Sequence, residues 1–302
     1  LALIIGTLGA VAFRAEPGFG LGPSDWAALR FTVLQATISA ALSVALAIPV
    51  ARALARRRFF GRGALIVLLG APFILPVLVA ILGLLQVFGR AGWVNTALDW
   101  AGLPGLQIYG LHGVVLAHVF FNLPLATRLI LQGWRGIPAE RFRLAAQLGF
   151  GPRSYFRHIE WPMLVRIVPG ILALIFAVCL SSFAVALTLG GGPKATTIEL
   201  ASYQAFRYDF DLGRAAVLAI LQVFLTTSAA LIALKLSSFD MDGQGLDRPI
   251  QRWDSVGIWL KITDTTAISI ATIFVALPLL AIFLAGIGGL FDLAPAVYRA
   301  AL

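Results

Sequence analysis

Long apolar runs alternate with short polar stretches along the whole chain. A helix crosses ~30 Å of hydrocarbon with about 20 apolar residues. Runs near 31–53, 64–88, 111–132, 164–189, 214–236 and 266–290 meet that length. A shorter run, "LALIIGTLGAVAF" at 1–13, reads as the tail of a first span in preference to a signal peptide, because no basic stretch precedes it. No alternation of polar and apolar positions runs through these stretches, so transmembrane strands are not expected. The pattern predicts an all-α polytopic membrane protein with about seven transmembrane helices.

Between 237 and 265 the chain turns polar and rich in Gly and Asp: "SSFDMDGQGLDRPIQRWDSVGIWLKITDT". Such a stretch reads as a linker between two membrane units, with an ordinary long loop as the plainer alternative. The expected organisation is a first six-span unit at 1–236 with its first span truncated, a cytoplasmic linker at 237–265, and the first span of a truncated second unit at 266–302. The chain is expected to be a piece of something longer.

Composition agrees with the pattern. Of 302 residues, 60% are hydrophobic and 12% charged, where soluble domains carry about 25% charged residues. The net charge of +9 raises nucleic acid as a partner, but in a membrane chain excess Lys and Arg mark cytoplasmic loops. If the spans alternate, Arg56, Arg57, Arg58 and Arg62, then the group from Arg128 to Arg166, then Lys235, Arg248, Arg252 and Lys261 all fall on one side. The opposite loops are poorer, with Arg14, Arg30, Arg90, Lys194, Arg207 and Arg214. The basic side is therefore cytoplasmic, and a bacterial inner (cell) membrane location with lipid as the surrounding partner is expected. The single cysteine, Cys179, lies inside an apolar run and has no intrachain disulfide partner.

One cytoplasmic stretch is unusual: "RLAAQLGFGPRSYFRHIEWP" at 143–162. Pro138 suits the first turn of a short helix. Phe142, Ala145, Ala146 and Gly149 then share one mostly small face, which permits close approach to another surface. Gly149, Gly151 and Pro152 force a turn. A second short element at 153–161 carries Tyr155, Phe156 and Trp161 among basic residues, and Pro162 opens the next span. The predicted unit is helix, glycine turn, helix, with apolar knobs facing away from the membrane. Spacing alone leaves two readings open: docking onto a soluble partner, or lying on anionic headgroups.

This stretch resembles the EAA loop of binding-protein-dependent ABC importer permeases. That motif begins Glu-Ala-Ala, with a Gly six residues after the Glu and a Pro thirteen after the Gly. Here Ala145, Leu148, Gly149 and Pro162 stand in matching places, while Arg143 replaces the Glu and Leu144 the first Ala. "VFFNLPLATRLILQ", "EWPML" and "LTLGGGPKATTIELASYQAFRYDFDLGRAAVLAILQ" extend the likeness across most of the chain, toward permeases for thiamine and thiamine pyrophosphate. The resemblance implies the MetI-like permease fold and an ATPase-coupling loop at Arg143, Leu144, Ala145, Ala146, Gln147, Leu148, Gly149 and Pro162. It also implies cytoplasmic ATPase subunits, two of them, that use ATP and Mg, and a periplasmic substrate-binding protein. Thiamine or its phosphate is the implied substrate, and this chain itself carries no cofactor. Ferric-iron permeases are the nearest competing reading.

On the outer side, Gly190, Gly191 and Gly192 give a flexible exit from the fifth span. Thr196 and Glu199 have capping-box spacing, which predicts a short helix from Thr197 to Phe206. That helix either meets a binding protein or outer gate, or packs on its own spans. A Gly-rich run beside Lys194 can cradle phosphate, but the Gly-Lys-Ser/Thr spacing of a P-loop is missing. Within the spans, His118 and Asn122 lie one turn apart before Pro124. They line a pathway or make an interhelical hydrogen bond worth roughly 1 kcal/mol, the second reading being favoured. Gln222 with Thr226 invites the same choice. Ser181 and Ser182 are the preferred pathway candidates, because they precede the outer glycines.

No catalytic residues and no metal ligands are expected. Three scattered His without acidic neighbours at metal spacing disfavour an intramembrane enzyme. An ion-coupled secondary transporter, the alternative of another class, commonly uses buried acids. No Asp or Glu is expected deep in any span, so no fixed counter-ion for a cationic substrate is evident.

Overall fold

The computed structural model describes Gly6 and residues 21–192, 195–236 and 257–291. The predicted span at 1–13, Arg14, Lys194, most of the predicted linker and residues 292–302 lie outside the described residues. Among those described, six helices are long and apolar enough to cross a membrane, and no strand is present.

Helix α1 (Pro23–Arg56) starts with Pro23 at its first position, and the Gly22 N–H donates to the Asp25 carboxylate at 3.0 Å. That bond satisfies one of the amides a helix start leaves free. Ala36, Ala40, Ala47 and Ala51 are fully buried along its length. Their spacing places them on one stripe, and small side chains let backbones approach closely where lipid supplies no hydrophobic drive. The largest helix–helix interface in the fold joins α1 to α6, which follows four short helices.

Three of them, α2 (Arg62–Leu68), α3 (Ala71–Ile74) and α4 (Val77–Phe88), replace the single span predicted at 64–88, and α5 (Trp93–Trp100) follows it. Gly70, Pro72 and Pro76 account for the breaks, since proline removes a backbone donor and Gly costs helix stability. Gly70 also packs under Arg128: a Cβ there would lie 2.9 Å from the guanidinium. Helix α6 (Leu111–Arg135) runs through Pro124 without interruption.

Helix α7 (Ala139–Gln147) leads through a glycine turn to α8 (Pro152–Tyr155), a π-turn at Phe156–Glu160, and α9 (Trp161–Leu180). These last three form one continuous 29-residue span, Pro152–Leu180. Pro162 therefore lies inside a running helix, where it was expected to open one. The span predicted to reach 189 is interrupted at Ser181–Ser182, and α10 (Phe183–Leu189) continues it. Helix α11 (Ile198–Arg207) packs against α12 (Leu212–Leu236). Helix α13 (Ile258–Phe291) begins eight residues before the expected boundary and packs on α4 and α1.

Ion pairs fix which ends lie together. The starts of α1 and α12 meet through Asp25 and Arg214, 2.7 Å apart. At the other end Arg52 of α1 meets Glu160 at 2.6 Å, and Arg56 and Arg57 meet Asp264 of α13 at 2.5 and 2.8 Å. The first two basic loops and the start of α13 thus share one end of the bundle, and the positive-inside bias makes that end cytoplasmic.

Candidate functional sites at the two ends of the bundle

The cytoplasmic segment 139–160 is built as a zipped pair of arms. Helix α7 ends at Gln147, and the chain reverses with the Phe150 N–H donating to the Ala145 carbonyl at 2.9 Å and the Gly149 N–H to Ala146 at 3.1 Å. This doubled pattern is a Schellman turn, and it needs a left-handed residue after the cap. Gly149 supplies it, with φ +69°. Phe142 stacks on Tyr155 across the turn at 6.3 Å and 15°, Phe150 meets Tyr155 edge-on at 6.1 Å, and the Tyr155 hydroxyl donates to the Phe142 carbonyl at 3.3 Å.

The expected docking face is therefore turned round. Phe142, Ala145 and Tyr155 are buried between the two arms and the core of the bundle. The outward face is Arg143, Leu144, Gln147, Leu148 and Gly149, with Ala146 half-buried. Leu144 and Leu148, one turn apart, are 58% and 64% exposed. The aromatic residues expected as knobs hold the unit together instead, because large rings gain most from burial. Trp161 stays exposed beside Pro162, at the start of α9.

At the root of this segment, Glu160 is fully buried. One carboxylate oxygen accepts from Arg52 Nε at 2.6 Å and the other from Trp134 Nε1 at 3.2 Å. The Arg52 guanidinium also lies over the Phe156 ring, 4.8 Å from its centroid. Three spans thus converge on one acid: α1, α6 and the span that carries the loop. The expectation that the spans contain no buried Asp or Glu is corrected here. Asp25, Glu160 and Asp264 are all at most 3% exposed, and each sits near a helix end within reach of an arginine. A buried charge is tolerated when it is paired and hydrogen-bonded.

At the outer end, the run Gly190–Gly192 leaves α10 through a bend. Gly191 and Gly192 have φ of +73° and +127°, conformations that side chains disfavour. The Gly110 N–H donates to the Leu189 carbonyl at 2.8 Å, which ties this exit to the start of α6. The predicted short helix is present, but its cap is Thr197, whose hydroxyl accepts from the Leu200 N–H at 3.4 Å. Thr196 donates instead to the Gly192 carbonyl. Glu199 does not close a capping box. Its carboxyl faces the interrupted span, near the backbone N–H groups of Phe183 and Ser182. Burial pushes its carboxyl up from the ordinary range, against the opposing pull of those two donors.

Inside the bundle, His118 Nδ1 and Ser39 Oγ lie 3.1 Å apart, and the Asn122 amide donates to the His118 carbonyl at 2.9 Å and to Cys179 Sγ at 3.3 Å. Both residues are buried between helices, which is the interhelical arrangement favoured from the sequence. Ser181 and Ser182 separate: Ser181 is exposed, at the edge of an open depression with Ala177, Val178 and Thr226, and Ser182 is buried. The residues that sequence reasoning missed are those that reach across: Gln35, Arg52, Glu160 and Asp264. Their partners are 26 to 208 positions away, so no local pattern marks them.

No family profile matches the chain. Among curated proteins, the thiamine transport system permease protein ThiP of Escherichia coli (strain K12) is 48% identical over 271 residues, covering 87% of this chain and 49% of that protein. ThiP of Brucella abortus (strain 2308) is 42% identical over 264 residues with the same coverage. The chain therefore spans about half the length of these relatives. Among solved structures, a bacterial alginate ABC transporter in complex with an alginate-bound periplasmic protein superposes with a TM-score of 0.65 at 16% identity, over 78% of this chain and 86% of that one. This multi-pass membrane chain is similar in sequence to about half the length of the ThiP permeases and has the fold of ABC transporter permeases.

Proposed function

We propose that the chain forms part of the membrane pathway of an ABC importer for thiamine or its phosphates, and that the segment 139–151 receives the stroke of a separate cytoplasmic ATPase. One observation carries the coupling role: a helix and glycine turn, zipped by Phe142, Phe150 and Tyr155, present Leu144 and Leu148 outward and lead into a continuous 29-residue span. A push on that face moves the span as a lever. A loop resting on headgroups needs no such stiff root. Arg143 stands where the family motif has a carboxylate and is exposed, so the contact relies on the two leucines and the turn. In this reading ATP and Mg are bound by the ATPase, substrate arrives on a periplasmic binding protein, and this chain catalyses no reaction. The sequence relatives, named for thiamine transport, support the substrate.

The test uses the full-length transporter with its ATPase and binding protein in vesicles. Leu144→Asp with Leu148→Asp is expected to abolish thiamine uptake and substrate-stimulated ATP hydrolysis, while the binding protein keeps its affinity for thiamine. Wild-type uptake and stimulation in that variant contradict the coupling role. Uptake of ferric iron, and not thiamine, by the unaltered transporter contradicts the substrate assignment.

A further inference from the structure

The interruption at Ser181–Ser182 is held by side chains from three other helices. In an unbroken helix the Phe183 N–H would bond the Cys179 carbonyl, and the Ser182 N–H the Val178 carbonyl. Here the Ser181 N–H takes Val178 at 3.3 Å. The Glu199 carboxyl of α11 lies near the freed N–H groups of Ser182 and Phe183. The Cys179 carbonyl accepts from Gln35 Nε2 of α1 at 2.8 Å, and the Leu180 carbonyl from Gln222 Nε2 of α12 at 3.0 Å. Gln35 and Gln222 are buried. Irregular backbone at membrane depth persists only where its polar groups are satisfied by protein or by a water-filled cavity. Two carbonyls at this break accept from buried glutamines of other helices, and the Glu199 carboxyl stands near the two freed amides, so the break is a built feature of the fold.

Its position gives it a use. Helix α10 extends about 10 Å from the break to the outer glycines, at 1.5 Å per residue. The exposed Ser181 borders the depression between α9 and α12. Helix α11, which supplies Glu199, lies at the outer end, where Ser202 Oγ donates to the Ala215 carbonyl of α12 at 3.0 Å. Phe183 at the start of α10 also meets Tyr203 of α11 edge-on at 5.1 Å. The outer half-helix and the outer amphipathic helix are therefore joined at one point by a carboxylate and a ring pair.

We propose that Gln35, Gln222 and Glu199 are positioning residues for transport: the two glutamines hold the inner stump of the broken span, and Glu199 ties the outer half to α11. A substrate-loaded binding protein seated on α11 then tilts α10 about the break and changes access to Ser181. This rests on the ABC-importer reading above.

The test labels Ser181→Cys with a membrane-impermeant maleimide in the full-length transporter, native cysteines replaced, with ATPase and binding protein present. Adding thiamine-loaded binding protein is expected to change the labelling rate. Glu199→Ala is expected to lose that change, and Glu199→Gln to keep it, because the amide oxygen can still accept backbone N–H groups. Gln222→Leu, which strips the Leu180 carbonyl of its donor, is expected to show the same loss. It decides the matter if Glu199→Ala fails to co-purify with the ATPase. A wild-type response in Glu199→Ala or Gln222→Leu, or equal loss in Glu199→Ala and Glu199→Gln, overturns the proposal. If loaded binding protein stimulates ATP hydrolysis without altering labelling, this proposal alone fails. If it stimulates neither, the importer reading fails as well.

Discussion

Glu160 and Arg52 show how one pair of residues roots the cytoplasmic segment. Both carboxylate oxygens of Glu160 are used, by Arg52 and Trp134, and Arg52 is braced by the Phe156 ring. Removing one member of a buried pair leaves an uncompensated charge and costs about 3–5 kcal/mol, whereas replacing both with apolar groups is often close to neutral. Arg52→Met alone and Glu160→Leu alone are therefore expected to lower the thermal midpoint of the detergent-solubilised protein more than the double variant does. Thermal unfolding of the three variants checks this, and a double variant less stable than either single one would show that the pair is not coupled. A stable double variant that has lost substrate-stimulated ATP hydrolysis would place the pair in transmission of the stroke, separate from its part in stability.

Among the helices, the contact of α13 with α4 is open to disruption by a single change. Gly83 faces α13 so closely that a Cβ would lie 2.6 Å from the Pro278 carbonyl and 2.7 Å from Ile282. Overpacking at such a site costs about 1–3 kcal/mol. Gly83→Val is expected to loosen α13 while leaving the α1–α6 interface intact. Hydrogen exchange should rise across the α13 stretch 268–282 and stay unchanged in α6, and equal protection in both would contradict the close approach. This approach was not legible in the sequence. Gly83 lies in an apolar run, and its partner follows a polar stretch of more than twenty residues.

What was legible follows from local physics. Apolar length marked the spans, Lys and Arg bias sorted the loops, and Gly149 marked the turn because only Gly takes its φ of +69° cheaply. The breaks at Gly70–Pro76 and at Ser181–Ser182 were not predicted, since hydropathy averages over them. The second depends on Gln35, Gln222 and Glu199, each distant in sequence from the carbonyl or amide it faces or separated from it by a turn. The small face of α7 was seen, but not its direction. Periodicity identifies a face, while the burial of Phe142 against Tyr155 decides where that face points.

Taken whole, the molecule is a bundle with different work at its two ends. The outer end joins α1 to α12 through Asp25 and Arg214, and α11 to the broken span through Glu199. The cytoplasmic end gathers the basic loops around Glu160 and Asp264 and projects the turn at Gly149. In the proposed role, the projected face meets an ATPase subunit and not the membrane surface. The most direct measurement is photo-crosslinking from a benzophenone amino acid at position 148 in the full-length transporter, with ATPase and lipid both present. A covalent adduct with the ATPase subunit, strengthened or weakened by ATP, is the predicted result. Adducts with lipid alone, unchanged by ATP, would contradict it.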